Sequence, residues 1–235
     1  MFQIGAIATE TFQFCNFKNR VIFISSLLQI TIYMSDAFDF EKDIILENDA
    51  VLLRPLKTDD FDNLLDFSLN EPEIWTYSFV HAAGEDSLKR YIDLALKGRK
   101  EEKQYPFIVY DKVKKKYAGC TRFHQIDLEN QSLHIGYTWY GKEFQGTKLN
   151  KNCKLLLLDF AFEKMDIVRV EFRADNKNEK SIAAMKSIGC TVEGVLRQES
   201  LSPSGYRRDS IILSILKHEW EERLRQELAN KISKK

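Results

Sequence analysis

Residues 135–163 pass from a short apolar strand through a turn into a helix too apolar to lie on a surface, and few folds accommodate that succession. Ile135, Gly136, Tyr137, Thr138, Trp139 and Tyr140 have strand character, Gly141 and Gly146 bracket the turn, and a helical pattern begins near Thr147. Leu149, Cys153, Leu156 and Phe160 form one stripe at helical spacing, while Leu158, Phe162 and Met165 carry apolar surface further round the cylinder. Such a helix is buried on more than one side, with its first turn held at a sheet. The opening amides of a helix have no intrahelical partner and carry the positive end of its dipole, so this turn suits a phosphate or pyrophosphate. Lys148 and Lys151 add charge there.

The rest of the chain can be built around that unit. Val51 to Leu53, ended by Pro55, predict a strand. Thr58 is placed to cap a helix facing inward through Phe61, Leu64, Leu65 and Phe67, and a second amphipathic helix spans about 85–96. Between them lies an aromatic loop with Trp75, Tyr77, Phe79 and His81. Residues 105–110, 117–126 and 132–140 form an antiparallel meander, because only short polar turns join them. After the long helix, residues 168–173 alternate as a strand, and Asn176 with Glu179 has the spacing of a capping box for a helix that stops at Gly189. Strand, helix, strand, helix predicts a parallel step here. Residues 192–201 and 206–216 complete a hairpin, and 218–228 a charged terminal helix with a solvated, frayed lysine-rich end. The expected fold is α/β (α+β), a mixed and mostly antiparallel sheet flanked by helices. At the junction of its two senses neighbouring strands can part, and ligands collect in such crevices.

The chain has 235 residues, enough for one sizeable core with extensions, and its formal net charge of +0 argues against a general nucleic-acid binder. Residues 1–48 read as an N-terminal extension, 49–218 as the folded domain and 219–235 as a charged helix and tail. Lys18 and Arg20 before the apolar run 21–33 superficially resemble a signal peptide, but Ser25, Ser26, Gln29 and Thr31 interrupt the run, and it is short of the roughly 20 residues a spanning helix needs. The alternative is an upstream in-frame extension with Met34 as the start. Cys15, Cys120, Cys153 and Cys190 lie far apart without metal spacing, which points to free thiols in a reducing cytoplasm and calls for no metal.

The loop itself admits several readings. Gly141 and Gly146 have the spacing of a P-loop, but Thr147 precedes Lys148 where lysine must come first, which moves the ammonium off the phosphate. A dinucleotide fingerprint is absent, and a strand-to-helix turn without a ligand stays open. The fourth reading is a resemblance. Ile135-Gly136-Tyr137-Thr138-Trp139, Gln145-Gly146-Thr147, Leu149-Asn150, Lys154 to Leu158, Ala161-Phe162-Glu163, Asn178, Ser181, Gly189 and Glu193-Gly194-Val195-Leu196-Arg197 follow an order similar to that of the GNAT superfamily of N-acetyltransferases. The chain most resembles the branch that contains the ribosomal-protein N-terminal acetyltransferases.

That resemblance implies a GNAT-like sheet with a splay between its two central strands, acetyl-CoA as cosubstrate, an amine substrate (a protein N-terminus or a small molecule), and no nucleic acid or membrane partner. It implies that the amides of Gln145, Gly146, Thr147, Lys148, Leu149 and Asn150 cradle the pyrophosphate. Lys148 and Asn150 depart from the usual small residues, and Lys148 could exchange close backbone approach for charge on a phosphate. The main chain of Trp139 and Tyr140 would hold the pantetheine arm, which the Asn178 side chain also reaches. Many relatives have an acid tyrosine where this chain has Met185, so that role passes to no residue here; Ser181 matches a hydroxyl donor. His134 stands where relatives carry a glutamate base, and a histidine near pH 7 can take a proton from an amine directly or through water. His124 is a second candidate base, Glu193 a group that could help bind the amine, and Tyr77, Phe79 and His81 a substrate wall. The alternative implied by the missing tyrosine and glutamate is a noncatalytic acetyl-CoA-binding or regulatory module.

Overall fold

A computed structural model describes residues 15–17, 20–22 and 38–234 of the chain. Two units divide it, Met1–Ser35 and Asp36–Lys235. In the first, β1 (Cys15–Phe17) and β2 (Arg20–Ile22) pair antiparallel. Most of the apolar run 21–33, and the alternative start Met34, lie outside the described residues.

The second unit is built on one eight-stranded sheet. Its strands are β3 (Leu46–Glu47), β4 (Val51–Pro55), β5 (Gln104–Asp111), β6 (Lys116–Asp127), β7 (Ser132–Tyr140), β8 (Arg169–Asp175), β9 (Thr191–Leu201) and β10 (Arg207–Leu216). Their order is β3-β4-β5-β6-β7-β8-β10-β9. Every pair is antiparallel except β7 with β8. The expected mixed sheet with one parallel step is therefore present. β3 falls in the stretch read as part of the N-terminal extension; Phe40, Ile44 and Leu46 bury there, and the Tyr105 hydroxyl ties the segment to β5 by accepting from the Ile44 amide at 2.8 Å.

Alternation along β6 separates the two faces. The Arg122 guanidinium lies over Tyr91 of α2 (Glu85–Lys100), while its neighbour Phe123 stacks on Phe160 beyond α3 (Leu149–Asp159). So α1 (Phe61–Asn70) and α2 cover one face and α3 the other. The helix at α1 is not capped by Thr58: residues Thr58–Asp60 form a tight turn, and Asp60 accepts from the Lys57 amide and from Arg54. Nor does Asn176 cap α4 (Glu179–Ser187); that residue is Asn178, whose Oδ1 accepts from the Ser181 amide at 3.1 Å.

The C-terminal helix is longer and better anchored than its charge suggests. It runs as α5 (Lys217–Glu219), a wide turn at Trp220–Leu224 and α6 (Arg225–Ser233), with Trp220, Leu224 and Leu228 buried. Trp220 Nε1 and Arg225 both donate to Asp159 at the end of α3, and Lys148 at its start donates to the carbonyls of Ile232 and Lys234. The two helices thus lie antiparallel along each other; the lysine-rich end is exposed as expected, but it is helical to Ser233 rather than frayed.

Candidate active site

The parallel pairing of β7 and β8 is brief. Ser132 faces Arg169, Leu133 faces Val170 and His134 faces Glu171, and the ladder ends there. β7 continues to Tyr140 on β6, and β8 continues to Asp175 on β10. From Ile135 and Phe172 onward the facing edges of the two strands have no shared ladder, which is the expected splay. Within β7 the register against β6 slips between Gly136 and Trp139, and Tyr137 adopts a left-handed backbone with φ 51°. Such a bulge re-aims the side chains around it and sharpens the local bend. Thr138 turns to the α3 face, where its hydroxyl meets that of Thr121 at 2.7 Å. The bulge residue is not a glycine, so composition does not foretell it.

The splay leads to the turn between β7 and α3. Gln145 folds back so that its Nε2 donates to the Tyr140 carbonyl at 2.9 Å, and Phe144 is buried beneath. Thr147 Oγ1 donates to the Phe144 carbonyl and accepts from the Leu149 amide. The amides of Gly146, Thr147, Lys148 and Asn150 have no partner among the described residues. Gly146 has φ +72°, and a Cβ built there would meet nothing within 4 Å. The turn is therefore open, with free donors at the start of an eleven-residue helix, and it fits a diphosphate. The Lys148 ammonium, expected to supply charge to a phosphate, is here bonded to the Ile232 and Lys234 carbonyls of the C-terminal helix. Asn150 Oδ1 lies 3.4 Å from the Tyr140 hydroxyl. Trp139 packs its ring edge-on against Trp75, Phe67 and Tyr91, so only its main chain faces the gap.

Asn178 and Ser181 come together at the start of α4, directly after the C-terminal end of β8. The Asn178 carbonyl oxygen is used in the cap, which leaves its amide nitrogen for another group. Met185 is buried and carries no proton donor.

On the α1/α2 face, His134 Nε2 lies 3.4 Å from Glu171 Oε1, and its ring contacts that of His124 edge-on at 5.1 Å. Burial lowers the pKa of His134 despite the nearby Glu171, so the ring is neutral at pH 7. His124 is pulled down to about 3 by burial and by the neighbouring His134 and Arg122. Glu171 is also bonded by Arg169 and Arg173, which outweigh its burial and keep it ionised. Glu193, expected to help bind an amine, is taken up by a two-pronged bond from Arg169 and one from Ser214, and is held down to about 2. Tyr77 and Phe79 are exposed, with Arg208 stacked on Phe79 at 4.2 Å, while Trp75 is wholly buried. His124 and Tyr137 line a cavity of about 310 Å³ together with Glu102, Lys103, Gln104, Gln125 and Ile126.

One residue at the splay has no role assigned from the sequence. Lys154, on α3, is 5% exposed, and its Nζ donates to Thr138 Oγ1 at 3.0 Å while lying 5.9 Å from the Phe172 ring. It touches residues on both sides of the splay, and no carboxylate lies within 4.0 Å of it among the described residues. Burial lowers its pKa to about 8.

Residues 50–191 match the family described as an acetyltransferase (GNAT) domain. YdaF of Bacillus subtilis (strain 168), named as a candidate ribosomal N-acetyltransferase, is 37% identical over 104 residues, a match that spans 44% of this chain and 56% of that protein. A spermidine N(1)-acetyltransferase of Escherichia coli (strain K12) is 25% identical over 73% of this chain and 88% of its own length. Among solved structures, a GCN5-related N-acetyltransferase from Brucella melitensis superposes with a TM-score of 0.75 at 26% identity, covering 82% of this chain and 86% of that one.

Proposed function

The chain belongs to the GNAT acetyltransferase family, and from that premise we propose that it moves an acetyl group from acetyl-CoA to a primary amine by direct attack. The observation that carries this reading is the meeting of two features: a gap between parallel strands that starts at Ile135, and free amides at Gly146 to Lys148 where that gap reaches α3. The amides would hold the diphosphate, and the main chain of Trp139 and Tyr140 with the Asn178 amide nitrogen would hold the arm. Acetyl-CoA supplies a thioester carbonyl already activated toward amines.

The protein's own part is orientation and proton handling. His134, neutral at pH 7, can take a proton from an ammonium acceptor directly or through a water, and Glu171 beside it favours the imidazolium that results. Ser181, in the first turn of α4, is the candidate hydroxyl donor. Free, buried Cys120, Cys153 and Cys190 support a reducing cytoplasm as the proposed compartment. No helix among the described residues is long and apolar enough to cross a membrane.

Isothermal titration with acetyl-CoA and CoA, followed by an acceptor panel of peptides, polyamines and amino sugars, tests the reading. Failure to bind either nucleotide removes it. Binding without transfer to any acceptor would favour the noncatalytic module that buried Met185 in place of a tyrosine brings to mind.

A further inference from the structure

Seven buried side-chain polar atoms lack a hydrogen-bond partner among the described residues, and five of them stand in one place: Trp75 Nε1, Tyr91 Oη, Trp139 Nε1, and Nε and Nη2 of Arg122. Ring centroids of Trp75 and Trp139 are 5.0 Å apart, those of Tyr91 and Trp139 6.3 Å, and the guanidinium lies 4.8 Å from the Tyr91 ring. The composition of the cluster is one-sided. Indole N–H and guanidinium are donors only, so Tyr91 Oη is the single acceptor among these atoms. Even if that oxygen took two bonds, donors would be left over.

Arg122 is 3% exposed, and no carboxylate lies within 4.0 Å of it among the described residues. Its guanidinium makes one hydrogen bond of good geometry, from Nη1 to Gln104 Oε1 at 2.8 Å, with Tyr91 Oη in looser reach. Buried cations are ordinarily paired, and a buried donor set that finds no acceptor inside the protein calls for one from outside. The cover over this one is thin. The Tyr137 ring lies 4.1 Å from the guanidinium, is 36% exposed, and belongs to the bulge. Tyr137 and Gln104, the two side chains that screen Arg122, both line the cavity of about 310 Å³ shared with His124. A rotation of Tyr137 would bring the guanidinium to the cavity wall, on the same sheet face as His134.

We propose that the acceptor amine carries a carboxylate, and that Arg122, behind Tyr137 and backed by Tyr91 and the two indoles, is the group that receives it. This rests on the acetyltransferase reading and narrows it. The planar fork of an arginine matches a carboxylate with two parallel bonds. The carboxylate has two possible sources, the α-carboxylate of a free amino acid or an acidic side chain next to a peptide N-terminus.

The test is a set of matched probes on the 235-residue chain loaded with CoA: free L-amino acids, the corresponding amino-acid amides, dipeptide amides with aspartate or glutamate, and spermidine. Binding is read by titration calorimetry, so the outcome does not depend on turnover, and CoA affinity measured alongside reports separately on the acetyltransferase reading. At least one carboxylate-bearing probe should bind tenfold or more tightly than its amide partner and than spermidine. Arg122→Gln should remove that preference, Arg122→Lys should restore part of it, and both should leave CoA affinity within threefold. A free amino acid or an acidic dipeptide in the preferred role identifies the source. Equal binding of acids and amides by the unaltered protein, or spermidine as the best ligand, overturns the proposal without use of any variant. So does an Arg122→Gln protein that keeps the preference and changes only its melting temperature, as it would if buried water served these donors.

Discussion

His134 and Glu171 face each other as the last pair of the parallel ladder, with His134 Nε2 3.4 Å from Glu171 Oε1, and the sheet opens immediately beyond them. The base candidate therefore stands at the apex of the gap. Its orientation is fixed by a carboxylate that Arg169 and Arg173 hold in place.

Burial lowers the His134 pKa and Glu171 opposes that shift. The rate should therefore rise with pH through a group below 6.5 and level off by neutrality. Glu171→Gln removes the opposing influence, so the rising limb should move to lower pH. His134→Gln should lower kcat on the order of a hundredfold and leave CoA affinity within threefold. An unchanged kcat for that variant, measured by thiol release with a working acceptor, would exclude His134 as the base.

Gly146 offers a controlled test of the diphosphate cradle. Its φ of +72° makes any side chain costly by about 1 kcal/mol, although a Cβ there has space. Gly146→Asp also sets a negative charge among the free amides. Gly205→Asp is the matched control: φ is +88°, space is equally open, and the residue lies in the turn between β9 and β10. Both variants should lose similar stability, while only Gly146→Asp should weaken CoA binding tenfold or more. Equal CoA affinity in the two proteins would remove the cradle.

Lys148 belongs to a different interaction. Its ammonium donates to the Ile232 and Lys234 carbonyls at the end of α6, where a cation complements the negative end of the helix dipole. Lys148→Ala should cost about 0.5 to 1 kcal/mol of stability in urea denaturation and change CoA affinity less than threefold. A larger drop in affinity, reversed by salt, would mean that the ammonium leaves α6 for the phosphate.

Much of this arrangement was legible in the sequence, for identifiable reasons. The strand pattern at 135–140 and the helix with Leu149, Cys153 and Phe160 were plain from periodicity, and the strand-helix-strand order predicted the parallel step. The register slip at Tyr137 was hidden, because a non-glycine residue with positive φ leaves no mark in composition. Trp220, Leu224 and Leu228 do recur at four-residue spacing, but the surrounding charges masked a stripe that packs on α3. The partner of Lys148 lies 84 residues away, and no local rule reaches that far. Lys154 and Arg122 were misleading for one shared reason: a cation in a strand or helix reads as surface, and only packing shows it to be buried.

Lys154 is where that burial should be measurable as a function of pH. Its folded pKa is about 8, against a reference value of 10.5. Between those values the unfolded chain holds a proton that the folded chain has released, so this group adds stability as pH rises from 8 to 10.5, and its full cost is felt below 8. That cost is about 3 kcal/mol, so Lys154→Met should be more stable than the parent protein at pH 7 by up to that amount. The difference should shrink as pH approaches 10.5. Absolute stability is a poor readout here, because burial raises Cys120, Cys153 and Cys190 to about 12, and unfolding releases their protons above pH 9. Cys153 and Cys190 also feel the Lys154 charge, so the lysine is read from the difference between the two denaturation curves between pH 8 and 9, before the unfolded thiols lose their protons. A difference that stays constant from pH 8 to 9 would mean that Lys154 keeps an ordinary pKa and reaches solvent.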